Sequence, residues 1–355
     1  MIMTPRFRII LAAALATALS FPSALFAQPG KAFPDSVVIK TFSREHVQGM
    51  AVDTLSRCYY MSFTTSFKKV DMEGNVIASV DSLNGHLGAM VFDPVSRRVY
   101  ASLEYKDDEI GKLISRNLGV AAHSREDIGF NIAVFNVDEM TAPGTPAQKV
   151  METFRVEEAA KDYKVRYGCS GIDGMALAPR IGRKGGKPCL YVSYGVYNDV
   201  DRNDNDHQII LRYSLRNLAK PKAKYFVYTG NTYYGVQNMA YDPLTGNLFL
   251  ACYKGRKPQF PNHTLFAVPV LQKPVKKVLK GLENDGAHLL LQLDGQKEGF
   301  IPGWDFPKAS TGFCTVGGGV WFNSSPVKTK AKGGQTCIVR KLIWTGDHPN
   351  PFRKP

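Results

Sequence analysis

The chain has 355 residues, of which 44% are hydrophobic and 21% are charged. This balance is typical of globular proteins and excludes a disordered or fibrous chain. Lysine and arginine (45) outnumber aspartate and glutamate (31), which gives a net charge of +14. Such a surplus favours an anionic ligand, although it says nothing about the fold.

The first 27 residues have the pattern of a secretory signal peptide. Arg6 and Arg8 precede an apolar stretch at 9–19, and the segment ends at a small residue, Ala27. We therefore expect cleavage near Ala27 and a secreted or periplasmic mature protein. No later segment has the roughly 18 consecutive apolar residues that a membrane span requires. The sequence thus predicts a single domain over 28–355 with no membrane span.

The cysteines indicate burial more than cross-linking. Cys58, Cys189 and Cys252 lie inside apolar runs, so we expect them to be buried as small hydrophobic residues. Cys314 and Cys337 flank a predicted hairpin, where either a disulfide or two free thiols fits the sequence. A disulfide framework is not expected at this density of cysteines.

A short unit recurs along the chain and predicts the fold. It consists of an apolar strand around a methionine, a turn that often contains Asp-Pro, and a second strand with Tyr or Phe. Its four central methionines are Met50, Met90, Met175 and Met239, and a weaker fifth unit lies at 314–323. Two further β-like runs follow each of the first four units. Four strands per repeat is the pattern of a β-propeller blade.

The end of the chain indicates how the ring closes. The fifth repeat lacks one strand, whereas the β-like run at 37–42 belongs to no other repeat. Pairing this run beside 338–344 would remove two free sheet edges. We therefore predict an all-β, five-bladed β-propeller closed by an N-terminal strand, with the last strand of the fourth blade within 275–293. A sixth blade within 281–308 and a β-sandwich are the alternatives.

The predicted topology indicates where a site should form. Residues just before each inner strand and the long loops of the blades meet at one mouth of a propeller. His46 and His86 stand four positions before Met50 and Met90, and imidazoles suit proton transfer near neutral pH. The alternative is a structural role for both histidines. The predicted catalytic side chains are His46, His86, Tyr194 and Tyr234.

Amide, acidic and cationic side chains are expected at the same mouth. Gln48, Asp173 and Gln237 each stand two positions before a central methionine and should point into the channel. Cations from the loops can hold a carboxylate or sulfate group, or can simply be solvated surface. The predicted ligand-binding side chains are Gln48, Asp173, Gln237, His207, Arg125 and Arg256.

An acidic run at 198–207 offers oxygen ligands at spacings that calcium loops use. The candidate ligands are Asp199, Asp201 and Asn203. The EF-hand pattern fails, because the sixth position is Asp204 instead of Gly and the twelfth is Ile210 instead of Glu. A different calcium loop and a solvated turn remain the two interpretations. The sequence indicates no other cofactor.

The repeats cover nearly the whole mature chain and resemble secreted β-propellers that include gluconolactonase-like, NHL-like and glycan-active members. Arabinanase-type members carry carboxylates on the inner strands of their first three blades, where this chain has Gln48, Gly88 and Asp173. Gluconolactonase-like members hold a metal near the axis with carboxylate and amide groups, and Asp173, Gln48 and Gln237 match that set in part. The motifs identify the fold class and no single family.

Two hypotheses for the function follow. The first is an exported hydrolase or lyase that acts on an acidic carbohydrate at the channel mouth. The second is a non-catalytic propeller that binds a small molecule or glycan, or serves as a scaffold. No phosphate-binding loop or paired-cysteine metal motif occurs. Nucleic acid is not the expected partner, because no basic-aromatic groove motif occurs.

Overall fold

The computed structural model describes residues 32–41, 46–124, 127–162, 171–195, 206–230, 233–328 and 335–355. Nearly all regular structure in these ranges is β-strand, and the strands form five sheets. The inner strands of the five sheets contact one another in cyclic order, so the sheets are the blades of a five-bladed β-propeller. Within the described ranges, no helix has the length and apolar character that crossing a membrane requires.

The first two blades each contain four antiparallel strands. The N-terminal strand β1 (Ser36–Val38) precedes them and belongs to the last blade. Blade one contains β2 (Val47–Asp53), β3 (Cys58–Phe63), β4 (Ser66–Val70) and β5 (Val76–Val80). Blade two contains β6 (His86–Asp93), β7 (Arg98–Tyr105), β8 (Gly129–Asn136) and β9 (Met151–Arg155). The helices are α1 (Glu109–Leu118) between β7 and β8, α2 (Ala147–Val150) before β9, and α3 (Glu157–Lys161) after it.

The remaining blades are less uniform. Blade three contains β10 (Gly174–Ala178), β11 (Cys189–Gly195), β12 (His207–Ser214) and β13 (Ala223–Tyr228). Blade four contains β14 (Val236–Asp242), β15 (Asn247–Cys252) and β16 (Leu265–Pro269), and a hairpin of β17 (Val275–Val278) and β18 (Ala287–Leu291) follows. Blade five contains β19 (Phe313–Gly317), β20 (Val320–Lys328), β21 (Gln335–Trp344) and β22 (Phe352–Arg353). Single turns of 3-10 helix occur at Glu283–Asp285 and Pro307–Thr311.

The aspartate that recurs in the repeat caps the turn between the first two strands of a blade. Asp53 accepts backbone hydrogen bonds from Leu55 and Ser56, both at 3.0 Å. Asp93 and Asp242 bind the backbone of their own turns in the same way. An Asp side chain fixes such a turn because it bonds the backbone two or three residues later. The motif is therefore structural, and it sets where these three inner strands end.

The predicted ring closure is confirmed. Strand β1 pairs antiparallel with β21, with Ser36 opposite Arg340 and Val38 opposite Ile338. The backbone of Ile39 continues the pairing through a hydrogen bond to Cys337, at 3.0 Å. The strand from the beginning of the chain thus covers an edge that blade five would otherwise expose.

The expected position of the fourth blade's last strand is wrong, and 281–308 forms no sixth blade. Strands β17 and β18 instead extend blade three, because β18 runs parallel to β13 with Tyr225 opposite Leu289. The apolar side chains of this segment explain the difference. Leu279 and Leu282 are buried with the residues of blade three, as part of one hydrophobic cluster. Blade four keeps three strands.

The structure shows the state of the cysteines. Cys58, Cys189 and Cys252 are buried as predicted, and Cys314 and Cys337 are free thiols.

Helix α1 was not expected from the strand-like repeat. It begins where the Asp108 side chain accepts a hydrogen bond from the backbone of Gly111 and ends at Gly119, which has a φ of 69°.

Candidate functional site

Three inner strands are irregular at the end where the channel mouth lies. In β2 the pairing with β3 skips Gln48, and in β14 the pairing with β15 skips Gln237. In β6 the irregularity covers Gly88 and Ala89. A β-bulge redirects the extra side chain out of the regular alternation. The two glutamines predicted to face the channel line one cavity for this reason.

That cavity, called the mouth cavity below, has a volume of about 500 Å³. Its walls come from inner strands of several blades and from helix α1. The lining side chains are Gln48, His86, Lys106, Asp108, Glu109, Ile110, Asp173, Tyr234, Gln237 and Tyr253. The size and the mixture of polar and aromatic groups are typical of a small-molecule or sugar site.

Three titratable side chains meet beside the mouth cavity. His86 begins β6, Glu104 lies opposite it on β7, and Asp173 directly precedes β10 in the next blade. One nitrogen or oxygen atom from each lies within 4.8 Å of the others. The Nδ1 atom of His86 is 3.8 Å from Oε2 of Glu104. All three residues are buried.

Glycines allow this close approach. A Cβ atom on Gly88 would overlap Oδ1 of Asp173, and a Cβ atom on Gly171 would overlap the carboxylate of Glu104. The backbone of Ile172 donates a hydrogen bond to Oε1 of Glu104, at 2.5 Å. The carboxylate of Glu104 is therefore fixed by the segment that carries Asp173.

Lys106 supplies the positive charge of this cluster. Its Nζ atom lies 2.7 Å from Oε2 of Glu104, and both side chains are buried. Burial disfavours the charged ammonium, but the negative charges of Glu104 and Asp173 outweigh burial and raise the pKa of Lys106. Lys106 and Glu104 thus form a buried ion pair beneath the mouth cavity.

The surroundings raise the pKa of Asp173 and lower the pKa of His86. Burial and the charge of Glu104 raise the pKa of Asp173 to about 8, against the opposing effects of Lys106 and of a hydrogen bond from Ser102. Burial and the charge of Lys106 lower the pKa of His86 to about 3. At neutral pH, Asp173 is therefore a neutral carboxylic acid and His86 a neutral imidazole. Perturbed values of this kind are concentrated at functional sites.

The same three residues can also hold a metal ion. They offer one imidazole nitrogen and two carboxylate oxygens, a donor set that suits a first-row transition metal better than calcium. The Nδ1 atom of His86 is buried and makes no hydrogen bond within the described part of the chain. Lys106 opposes a cation here, because its ammonium already occupies one oxygen of Glu104.

Tyrosines form one rim of the mouth cavity. The rings of Tyr233 and Tyr234 are 4.1 Å apart, and those of Tyr234 and Tyr253 are 5.5 Å apart. The guanidinium of Arg256 lies 3.7 Å from the centre of the Tyr233 ring. Rigid aromatic faces beside amide groups provide both apolar contact and hydrogen bonds to a ligand.

The structure describes nine of the predicted site residues and brings five of them together, beside residues that were not predicted. The mouth cavity collects His86, Tyr234, Gln48, Asp173 and Gln237.

The other predicted residues do not line this cavity. His46 is exposed. Tyr194 is buried in the hydrophobic core, where its hydroxyl donates to Asp162 at 2.5 Å. His207 borders a separate cavity beside the buried ion pair of Lys257 and Asp206. Arg256 packs on Tyr233 instead of lining the cavity. The predicted residues Arg125, Asp199, Asp201 and Asn203 lie outside the described residues.

Glu104 and Lys106 are not among the residues predicted from the positions before each methionine. A signal was present in strand β7. Ser102, Glu104 and Lys106 alternate with apolar residues at the end of this strand, so they share one face. Polar groups at every second position of a buried strand indicate a face turned towards a site.

Comparison with known proteins identifies no family for this chain. No family model matches the sequence, and no curated protein matches it. Among solved structures, the chain is similar to a luciferin-regenerating enzyme, with 10% sequence identity and a TM-score of 0.35. That match covers 83% of this chain and 92% of the enzyme.

Proposed function

We propose that this protein is an exported hydrolase or lyase that acts on an acidic carbohydrate in the mouth cavity. One observation carries the proposal. Asp173, with a pKa of about 8, and the neutral His86 both line a 500 Å³ cavity, within 4.8 Å of one another. An acid that keeps its proton at neutral pH beside a proton acceptor is the pair that general acid–base catalysis needs.

The two side chains have different roles in this proposal. Asp173 donates its proton to the oxygen that leaves the sugar, so that the oxygen departs as a hydroxyl group. His86 accepts a proton through Nδ1, either from an attacking water in hydrolysis or from the carbon next to a uronate carboxylate in elimination. The low pKa of His86 keeps the imidazole unprotonated across the physiological range, although it also makes the imidazole a weak base. Tyr234, on the rim, is placed to bind the sugar or assist in proton transfer.

The lining also supports a sugar ligand. Gln48 and Gln237 offer amide groups, and Tyr234 and Tyr253 offer aromatic faces. Among the lining residues that the structure describes, Lys106 is the one cation, and it lies close to the proposed acid. The ammonium of Lys106 would then balance the negative charge of a bound uronate carboxylate as well as that of Glu104.

A cation-dependent binding protein is the second candidate. The buried, unbonded Nδ1 atom of His86 within 4.8 Å of two carboxylates supports it. In this case His86, Glu104 and Asp173 would hold a divalent transition metal, and bound carbohydrate hydroxyls would be its other ligands. A bound metal would supply charge that neutralises both carboxylates.

Turnover on a panel of uronate-containing and neutral polysaccharides tests the proposal. The release of reducing ends reports hydrolysis, and the ultraviolet absorbance of unsaturated uronates reports elimination. Asp173→Asn should lower kcat by about 100-fold or more. The matched control is Asp347→Asn, at an exposed position away from the cavity, which should leave kcat unchanged.

Two results would contradict the enzyme. One is the absence of turnover on every polysaccharide, with and without added transition metals, together with measurable binding of one of them. The other is a normal kcat in Asp173→Asn. The first result would support the second candidate, the cation-dependent binding protein. Loss of polysaccharide binding in His86→Gln would then assign the binding to the mouth cavity.

A further inference from the structure

The positive charge of the chain is concentrated in three segments that the mouth cavity does not use. Each of the segments 179–188, 215–224 and 271–280 carries four lysines or arginines, no acidic residue and no aromatic residue. The positive charges of the three segments, four in each, together almost equal the net charge of the whole chain, +14. The basic character of the protein is thus local.

The structure brings parts of all three segments to one cavity on blade three. This cavity, the basic pocket, has a volume of about 540 Å³. Its charged lining residues are Arg180, Arg183, Arg212, Lys222 and Lys273, and no carboxylate belongs to the lining described. Apart from Arg212, these cations come from the three basic segments.

The backbone fixes the geometry of the pocket. Arg180 and Arg183 are held in one turn by a hydrogen bond from the backbone of Arg183 to that of Arg180, at 3.1 Å. The backbone of Gly182 donates to Val270 at 2.8 Å, which anchors this turn beside the segment of Lys273. A hydrogen bond from Lys222 to the backbone of Arg212, at 2.6 Å, joins the third wall. The cations are therefore displayed by anchored loops.

Arg212 is the residue that points to a ligand. It is only 9% exposed, and its side chain contacts Tyr225 Oη at 3.3 Å, the Lys222 carbonyl at 3.5 Å and Cys189 Sγ at 3.8 Å. None of these partners carries a negative charge at neutral pH. Within the described chain, Arg212 forms no ion pair with a carboxylate. Buried guanidinium groups are normally paired with an anion, so Arg212, whose partners here are neutral, is suited to bind one.

Protection of a sheet edge explains some of the lysines but not the pocket. Strand β17 is an exposed edge of the sheet of blade three, and Lys276 and Lys277 lie on it. Lysines on an edge strand prevent pairing with another chain. Arg180, Arg183 and Arg212 are not on that strand, and Arg212 is buried. Edge protection therefore leaves the guanidinium cluster unexplained.

We propose that the basic pocket and the three basic segments bind an anionic polysaccharide, with a carboxylate or sulfate group of the ligand held by the arginines. Planar guanidinium groups match both oxyanions through paired hydrogen bonds. The segments carry further lysines outside the pocket, which suits a ligand with repeated negative charge. The mouth cavity has the lining of a sugar site, which favours a glycan as this polyanion over a nucleic acid, and in that respect the assignment rests on the proposed function.

This binding site is separate from the proposed catalytic pair, so the two proposals can fail independently. Binding of a fluorescently labelled heparin oligosaccharide and of a labelled polygalacturonate oligosaccharide, at low ionic strength, tests the pocket. The double variant Arg180→Ala/Arg183→Ala should weaken the affinity for at least one of the two ligands by about tenfold or more. Asp347→Asn, at an exposed position that lines neither cavity, should bind both as the wild type does.

The matched control removes the same charge elsewhere. Lys149 and Lys308 are exposed, so Lys149→Ala/Lys308→Ala should change the affinity by less than about twofold. Arg212→Lys keeps the charge but loses the paired donors, and it should also weaken binding by about tenfold. Thermal unfolding, measured for each variant, shows whether a loss of affinity reflects loss of the fold.

Three outcomes would overturn the proposal. The first is an equal loss of affinity in the arginine variant and in the lysine control, which would mean a general effect of net charge. The second is wild-type affinity for both glycans in a folded Arg180→Ala/Arg183→Ala protein. The third is binding of a DNA duplex of equal charge as tight as that of the glycans, which would remove the assignment to a polysaccharide.

Discussion

His86 and Glu104 face each other in register on β6 and β7, with Nδ1 of the imidazole 3.8 Å from Oε2 of the carboxylate, yet the histidine is held neutral. Burial is the main cause, and the charge of Lys106, whose ammonium lies 2.7 Å from the same oxygen, adds to it. The positive charge of the cluster therefore resides on Lys106, and Asp173, the second carboxyl group, retains a proton. This arrangement places a protonated carboxylic acid, Asp173, in the wall of the mouth cavity.

The first prediction concerns the pH dependence of stability. The pKa of Asp173 rises from 3.8 to about 8 on folding, so the native protein keeps a proton that the unfolded chain releases. The free energy of unfolding then falls as the pH rises from 3.8 to 8. The pKa of His86 falls from 6.5 to about 3, so the unfolded chain binds a proton that the native protein does not. This effect makes stability rise with pH up to 6.5.

The two effects oppose each other below pH 6.5, and only that of Asp173 remains between pH 6.5 and 8. In this window, Asp173 should lower the free energy of unfolding by about 1.4 kcal/mol per pH unit. Urea denaturation of the wild type and of Asp173→Asn across the window measures the contribution. The difference between the two proteins should shift steadily in favour of the variant, and a constant difference would show that Asp173 ionises normally.

The second prediction concerns the glycine beneath the acid. A methyl group on Gly88 would overlap Oδ1 of Asp173 and the hydroxyl of Ser102. Gly88→Ala should therefore cost about 1–3 kcal/mol in the free energy of unfolding, measured with urea, and should lower turnover by displacing Asp173. Gly129→Ala is the control, because the nearest atom there is the end of the flexible Arg155 side chain. A neutral effect of Gly88→Ala would argue against the close packing of this cluster.

The third prediction tests ring closure through two adjacent residues of β1. Val37 is 6% exposed and packs in the core, whereas Val38 is 54% exposed. Val37→Asp places an unpaired carboxylate in that core and should cost about 2–4 kcal/mol. Val38→Asp should cost less than about 1 kcal/mol. Equal urea midpoints for the two variants would mean that β1 does not close the ring in solution.

The fourth prediction concerns an ion pair between blades one and two. Arg97 Nη1 lies 2.5 Å from the buried Oδ2 of Asp53, and Arg97 also pairs with Asp138 at 2.9 Å. Arg97→Ala leaves the Asp53 carboxylate without its cation and should destabilise the protein by about 2–3 kcal/mol. The neighbouring Arg98 is exposed, so Arg98→Ala is the control. Similar thermal shifts for both variants would contradict the pairing.

The propeller could be predicted from sequence because each blade repeats the same local chemistry. A central methionine recurs in four of the five inner strands and a capping aspartate ends three of them, and the unassigned strand near the start had one free edge to join. The outer hairpin of β17 and β18 could not be placed in this way. Its partner, β13, is set by the tertiary burial of Leu279 and Leu282, and no repeat pattern records that contact.

The site could be predicted only in part, for a related reason. Gln48, Gln237 and Asp173 follow from their position relative to the methionines, but the bulges that redirect the glutamines depend on strand pairing. His46 and His86 hold the same position in sequence, yet one is exposed and the other buried. The pairing of Lys106 with Glu104, which sets the protonation of the cluster, is a contact that spacing alone does not reveal.

The protonation state of Asp173 is the most direct test of the proposed acid. Infrared difference spectra between the wild type and Asp173→Asn, recorded from pH 5 to pH 9, isolate the carbonyl stretch of this one carboxylic acid. We expect the protonated band to persist at pH 7 and to disappear with a midpoint near pH 8. A carboxylate signal already complete at pH 6 would contradict the proposed role of Asp173 as the proton donor.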